Sequence, residues 1–189
     1  RKLFTLPSVP GGTAKGDSHA LMWSGVLDEI AEENNITTSF YIANGTPTFF
    51  SIPVVATKRT AFFDIEEKLL YDQKRHHYLK KWRPKVVVIS ASWDQLKSAK
   101  EAKDLIDFLG GIGARVLLIE QPPKLFYGDK NAPKYLSHLR VWPNEKFDGY
   151  IPRYFDENYE NGRALIRQIK GDCSHCEILP VADLFMRDG

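Results

Sequence analysis

The sequence is poor in several signals, and each shortage narrows what the protein does. Charge of one sign is nearly absent, with 26 Lys and Arg against 24 Asp and Glu, a formal net +2. A chain so balanced lacks the basic surplus that bulk nucleic-acid binding draws on. No apolar run approaches the roughly 20 residues needed to span a bilayer. No signal-peptide pattern opens the chain, which starts at Arg1 without a Met. Repeats and low-complexity stretches are missing, and cysteine is confined to one pair, Cys173 and Cys176. What is left is a composition suited to one compact domain over 1–189, long enough to bury a sizeable core.

The apolar pattern alternates between strand and helix. Thr37 to Ala43, Lys85 to Ser90 and Arg115 to Glu120 read as strands, the last two as near-continuous apolar runs of the kind a buried parallel sheet uses. These three are predicted to be adjacent and parallel, with Glu177 to Val181 as a shorter strand. Ala20, Trp23, Leu27, Ile30 and Ala31 share one helical face. Phe62, Ile65, Leu69 and Tyr71 mark a second helix, and Ala99, Ala102, Ile106 and Leu109 a third, ended by Gly110-Gly111. Leu165, Ile166 and Ile169 mark a fourth, ended by Gly171. Such βα alternation predicts an α/β fold, a three-layer α/β/α sandwich around a central parallel sheet. Sites in such sheets lie beyond the carboxyl ends of the strands. Ser18, Gly45, Ser92-Trp93 and Gln121-Pro122 all follow predicted strands, or should, and so are expected to meet at one edge.

Gly16-Asp17-Ser18-His19 stands at the mouth of the first helix. Gly permits a sharp turn. A helix start offers unpaired N–H groups and the positive end of the dipole, which would stabilise an oxyanion formed beside a Ser nucleophile. Asp-Ser before a helix is also an ordinary N-cap.

Three blocks resemble the SGNH (GDSL-type) hydrolase superfamily, and more closely the SGNH domain at the C-terminus of bacterial acyltransferase-3 membrane proteins. Gly16-Asp17-Ser18-His19-Ala20 is similar to the nucleophile block. Lys85-Val86-Val87-Val88-Ile89-Ser90-Ala91-Ser92-Trp93 is similar to the third block in its acyltransferase-linked form, where Trp follows a strand. Val116-Leu117-Leu118-Ile119-Glu120-Gln121-Pro122-Pro123 is similar to the later strand that ends in a Pro-containing loop. The resemblance implies a flavodoxin-like sheet and a serine acyl-transfer chemistry. Ser18 would be the nucleophile, with the N–H groups of Ser18 and Gly45 as oxyanion donors. Asn44-Gly45, which implies the second block, also reads as a simple turn. Ser92 stands where many relatives carry an Asn donor. Trp93 reads as cleft lining or core packing. Asp17 sits beside the substrate and braces the turn through backbone N–H groups.

The chain departs from the family pattern at both ends. Pro7 to Lys15 reads as a loop where relatives run a strand into the nucleophile turn, so Lys2 to Leu6 is the nearest strand candidate. No Asp-x-x-His block closes the chain at Arg187-Asp188-Gly189, so the catalytic His and Asp are expected beyond Gly189 and the chain is read as a fragment. None of the five His has a claim to be the base. His19 adjoins Ser18 and should point away from it; His76 and His77 read as a solvated helical face, His138 as surface, and His175 lies between the cysteines.

Cys173-Ser174-His175-Cys176 fits a redox motif, half a zinc site or a short disulfide. It follows a helix and precedes a strand, the reverse of the redox arrangement, so a disulfide in an oxidising compartment is expected. No metal and no cofactor are expected. Gln121 to Asn161 is a long connection rich in aromatic and basic residues, including Tyr127 and Trp142. Loops of this length are usually functional or disordered, and Tyr127 and Trp142 are assigned here to sugar stacking. Thr46 to Arg59, with Phe49, Phe50 and Pro53, is expected to form the opposite wall.

The resemblance implies a serine O-acyltransferase or esterase domain acting on O-acetyl groups of a cell-envelope polysaccharide, outside the cytoplasmic membrane and beside a membrane acyltransferase domain. A glycan and an acyl donor would be its substrates. The rivals are a non-catalytic glycan-binding module on the same fold and a free-standing esterase.

Overall fold

The computed structural model describes residues 12–60, 62–122, 126–127, 130–131 and 157–181, with the backbone alone at residues 18, 126–127, 130–131 and 157–158. In chain order the elements are β1 (Gly12–Gly16), α1 (Ser18–Glu33), β2 (Thr38–Ile42), α2 (Ile65–Trp82), β3 (Val86–Ser90), α3 (Lys100–Gly111), β4 (Arg115–Ile119), β5 (Phe126–Tyr127), β6 (Lys130–Asn131), α4 (Glu157–Gly171) and β7 (Cys176–Leu179). A 3-10 turn covers Trp93–Gln95. Five strands form one sheet in the order β2-β1-β3-β4-β7, with every pairing parallel; β5 and β6 make a separate antiparallel ribbon.

This is the flavodoxin-like order expected of the fold class, with one correction. The predicted strands at 37–43 and 85–90 are parallel but not adjacent, because β1 lies between them. Gly12–Gly16, read from sequence as part of a loop, is an interior strand between β2 and β3; Lys2 to Leu6 lies outside the described residues. The run Gly-Thr-Ala-Lys-Gly holds one apolar residue, yet it pairs on both sides, Ala14 with Phe40 and with Val88. Two neighbours satisfy its backbone N–H and C=O groups, which is what makes a strand of a poor strand-former.

Parallel strands joined by right-handed crossovers place α1, which runs from β1 outward to β2, on one face of the sheet. The three connections running the other way place α2, α3 and α4 on the opposite face. Val87, Ile89, Val116 and Leu118 are sealed there against Leu79, Ala102, Leu105, Leu109, Ile166 and Ile169. On the α1 face Ala20 and Ala31 are buried but Ile30 is 48% exposed, against the single apolar face expected of this helix.

The second helix carries a larger correction. Asp64 and Glu67 form a reciprocal capping box at its start. Its inward residues are Lys68, Asp72, Arg75 and Leu79, whereas Phe62 and Ile65 are exposed. Arg75, the neighbour of His76, therefore lies on the buried face of the helix. Asp72 binds both Lys68 and Arg75, and all three side chains are buried. Lys15 of β1 lies beneath them, its Nζ 3.9 Å from the centre of the Phe50 ring and without a hydrogen-bond partner among the described residues. Ion pairing among these cations and one carboxyl takes the place of an apolar stripe on this helix.

Lys15 makes stability depend on pH. Burial, reinforced by the Arg75 charge, lowers its pKa well below 10.5; Asp72 opposes the shift and Lys68 adds to it. His76, half-buried against Phe108 and Phe50, also faces this group. Above pH ~10.5 Lys15 is neutral folded and unfolded, and costs nothing. As pH falls from there the unfolded chain takes up the proton first, so stability declines until pH passes the folded value. Lys15→Met keeps the alkyl length and is expected to raise stability near neutral pH and to flatten this slope. Urea midpoints of both proteins between about pH 7 and pH 10 measure it; parallel curves would reject the assignment.

Candidate functional site

The reversal of strand order falls between β1 and β3, so their carboxyl ends flank the crevice in which flavodoxin-like sheets bind ligands. At the end of β1 the chain enters α1 without an intervening loop. Gly16 makes this possible: a Cβ there would collide with the Ser90 carbonyl and the Ala20 Cβ. Asp17 is the helix N-cap. Its Oδ1 accepts the His19 N–H at 2.8 Å, and its Oδ2 accepts the Ser92 N–H at 3.0 Å from the end of β3. One carboxylate thus ties the two sides of the crevice together. Burial pushes the Asp17 carboxyl up, but the hydrogen bonds from His19 and Ser92 outweigh burial and hold it below the usual range. Asp17 is therefore an ionised acceptor at neutral pH, the bracing role expected of it, and not a general acid.

Ser18 is the first residue of α1, where the N–H has no partner within the helix and the dipole is positive. The cap of α1 is Asp17, so the cap reading of the tetrad belongs to that residue. Gly45 takes a left-handed backbone, φ 60°, in the loop after β2. The neighbouring Thr46 N–H is spent on the Ala43 carbonyl, while the Gly45 N–H has no partner among the described residues. Gly45, Asp17 and Ser92 line one cleft of about 540 Å³. Thr46 to Ser51 and Thr57 make one wall, as expected, and Gln95, Leu96, Lys100, Glu101 and Asp104 the other. Pro53 is not in that wall.

Ser92 and Trp93 need correcting. The Ser92 N–H is committed to Asp17, so any donation from this residue into the cleft comes from its hydroxyl. Trp93 does not line the cleft. It is fully buried, stacks at a tilt 5.7 Å from Phe49, and donates its indole N–H to the Ile119 carbonyl at 2.7 Å. Gly162 of α4 packs directly beneath it. Burying an indole while pairing its one polar atom is a packing solution.

His19, dismissed from the sequence, belongs to the site. Its Nδ1 lies 2.9 Å from the Ser92 Oγ and 3.3 Å from Asp17 Oδ1. Neighbours on a helix diverge, but Asp17 is a cap with a non-helical backbone and folds back over its second successor. The Asx-turn potential of Asp-Ser-His was the available signal. Because the carboxylate only accepts, the tautomer with the proton on Nδ1 binds Asp17 and leaves the Ser92 hydroxyl proton for the cleft.

The other chemistry-bearing residues lie elsewhere. Cys173 and Cys176 are joined by a disulfide that ties the turn after α4 to the first residue of β7, at the amino-terminal edge of the sheet and away from the cleft. They form a three-residue metal-ligand grouping with His175, but both sulfurs are engaged with each other. The chain's one Asp-x-x-His string, Asp172-Cys173-Ser174-His175, sits at that same far edge with the His175 Nε2 on the Ile106 carbonyl at 3.1 Å. Spacing reproduces the family's base motif there, and topology removes it from the site. Tyr127 is placed by its backbone only, in the β5–β6 ribbon, and Trp142 lies outside the described residues.

No curated protein matches the sequence. In structure the chain is similar to the periplasmic domain of a lipopolysaccharide acetyltransferase from Salmonella ser. Paratyphi A, with a TM-score of 0.63 at 13% identity over 95% of this chain and 69% of that one. At that identity the likeness speaks for the fold. The model of the SGNH domain fused to AT3 domains matches residues 14–189. The match begins inside β1 and takes in the nucleophile block, the Ser92-Trp93 block and both edges of the sheet: the chain belongs to the family of SGNH domains that are fused to AT3 domains.

Proposed function

We propose that this chain is the extracytoplasmic catalytic domain of a serine O-acetyltransferase, or acetylesterase, acting on a cell-envelope polysaccharide beside a membrane acyltransferase domain. The observation that carries the reading is the Asp17 clamp. It holds the start of α1 and the end of β3 together at one cleft, which Gly45 also lines with an N–H that has no partner among the described residues. The family's fusion to AT3 domains supports the membrane partner, and the fold shared with a lipopolysaccharide acetyltransferase domain supports a glycan acceptor.

In this mechanism the Ser18 Oγ attacks the carbonyl carbon of an acetyl group. The tetrahedral oxyanion is met by the N–H groups of Ser18 and Gly45 at the positive end of α1. Collapse expels the donor's leaving group and leaves acetyl-Ser18. A sugar hydroxyl, or water, then attacks that ester and regenerates the Ser. The base that takes the Ser18 proton comes from residues other than His19, which Asp17 and Ser92 already engage, and other than His175 at the far edge. Tyr127 and Trp142 remain proposed as sugar-stacking residues.

Trapping the intermediate tests the reading. The whole protein, exposed briefly to an activated aryl acetate, acid-quenched and digested, should show an acetyl mass on the peptide that contains Ser18. An unmodified peptide throughout turnover, or acetyl only on Ser92, would reject Ser18 as the nucleophile. A protein that binds glycan and never acquires the label would be the non-catalytic module.

A further inference from the structure

The wall that carries Gly45 is held from behind by a buried cation. Few backbone bonds of its own brace the segment from Asn44 to Phe50: the Thr46 N–H reaches Ala43, and the Thr46 hydroxyl reaches the Asn44 carbonyl at 3.4 Å. Two successive carbonyls further on are taken by one side chain of α2. Arg75 donates from Nη2 to the Pro47 carbonyl and from Nη1 to the Thr48 carbonyl, each at 3.3 Å. Arg75 is 1% exposed. Its orientation is set by Asp72, which binds the same guanidinium and Lys68, and by Tyr71, whose ring centre lies 4.5 Å from Cζ. Phe50, at the end of the wall, meets Arg75 on its ring at 4.8 Å and Lys15 at 3.9 Å. Lys15 lies on β1 two residues before Asp17. One buried cluster therefore contacts both the strand that leads into the nucleophile turn and the loop that carries the second oxyanion donor.

Such clusters are poor at stabilising. Apolar residues of the same volume in their place are often neutral or better. A fork of two N–H groups on adjacent carbonyls does something apolar packing does not: it fixes the rotation of the peptide planes it grips. We propose that Arg75 is a positioning residue for acyl transfer, acting through Pro47 and Thr48 to hold the Gly45 N–H at the place where the oxyanion forms. The proposal rests on Ser18 and Gly45 having the roles assigned above.

In the whole protein, Arg75→Met is expected to lower kcat for acetyl-ester hydrolysis about 10- to 100-fold, somewhat below the loss from deleting an oxyanion donor outright. KM should move less than ~3-fold, since a misplaced donor weakens the transition state more than substrate binding. Arg75→Lys should recover part of the loss at most, because an ammonium has no fork. Lys68→Met, in the same cluster but with no hydrogen bond to the loop among the described residues, controls for general destabilisation and should keep kcat within ~3-fold. Amide exchange at Thr46, whose N–H is bonded to the Ala43 carbonyl, should quicken in Arg75→Met and Arg75→Lys and hold in Lys68→Met. If Arg75→Met does not fold, Arg75→Lys gives the same two readings. A folded Arg75 variant with wild-type kcat overturns the proposal, and so do equal losses in Arg75→Met and Lys68→Met. Ser18→Ala, run alongside, separates the two failures: activity that survives it refutes the nucleophile, and the exchange data then still decide whether Arg75 holds the loop.

Discussion

Replacing Ser18 by Ala is expected to remove acetyl transfer and ester hydrolysis by about three orders of magnitude or more while leaving the fold intact. The size follows from losing the only group that becomes acylated, and members of such a catalytic unit each cost nearly the whole effect. Residual turnover would come from the oxyanion donors, which Ala leaves in place. The intact fold follows from the helix start. Asp17, not Ser18, caps α1 through the His19 N–H, and Ala at the first helical position carries no propensity cost. Hydrolysis of an aryl acetate, measured with the thermal midpoint of the same samples, gives both halves of the result. Undiminished activity would leave the tetrad as a helix entrance and nothing more. A matching fall in the thermal midpoint would tie the loss to misfolding.

The largest effect on stability is expected from Asp72→Asn. Asp72 is wholly buried and is the shared partner of Lys68 and Arg75, with Lys15 acting on the same cluster. Three cationic side chains thus surround one carboxyl. The amide keeps the shape and one acceptor, but it cancels no charge and turns an NH2 toward the cations. Breaking a buried ion pair from one side costs roughly 3–5 kcal/mol, because the partner charge stays buried without compensation. That is a large part of the total stability of an ordinary domain. Urea unfolding of Asp72→Asn, alone and combined with Lys15→Met, tests the cause as well as the size. Relief by Lys15→Met shows that uncompensated positive charge is responsible. A loss below ~1 kcal/mol would mean that water already screens the cluster and that it is not a closed interior.

The sequence was most legible where apolar residues alone decide the outcome. Strands β3 and β4 are continuous apolar runs, and α3 shows its inward face at Ala102, Ile106 and Leu109, so periodicity finds them without knowledge of neighbours. α3 runs through Gly110-Gly111, and the chain turns at Gly113, φ 84°, a small displacement of a correctly read end. The cysteine pair and the nucleophile block are short-range patterns and were equally visible.

Misreadings came wherever a residue's place depends on something distant in sequence. β1 is a strand because β2 and β3 flank it. The inward face of α2 is charged because its ions find one another and Lys15 of a different element. Trp93 is core because α4 and the end of β4 close over it. His19 meets Ser92 because Asp17 reaches across to that residue, 75 positions away. The sequence by itself determined the alternation of elements, hence the parallel sheet and the edge at which a site must lie, since those follow from period and chain direction. Only the tertiary structure decided which polar groups share that edge and which are sealed beneath it, because the energy of a buried charge or a capped N–H depends on its partner, and the partner is brought by the fold.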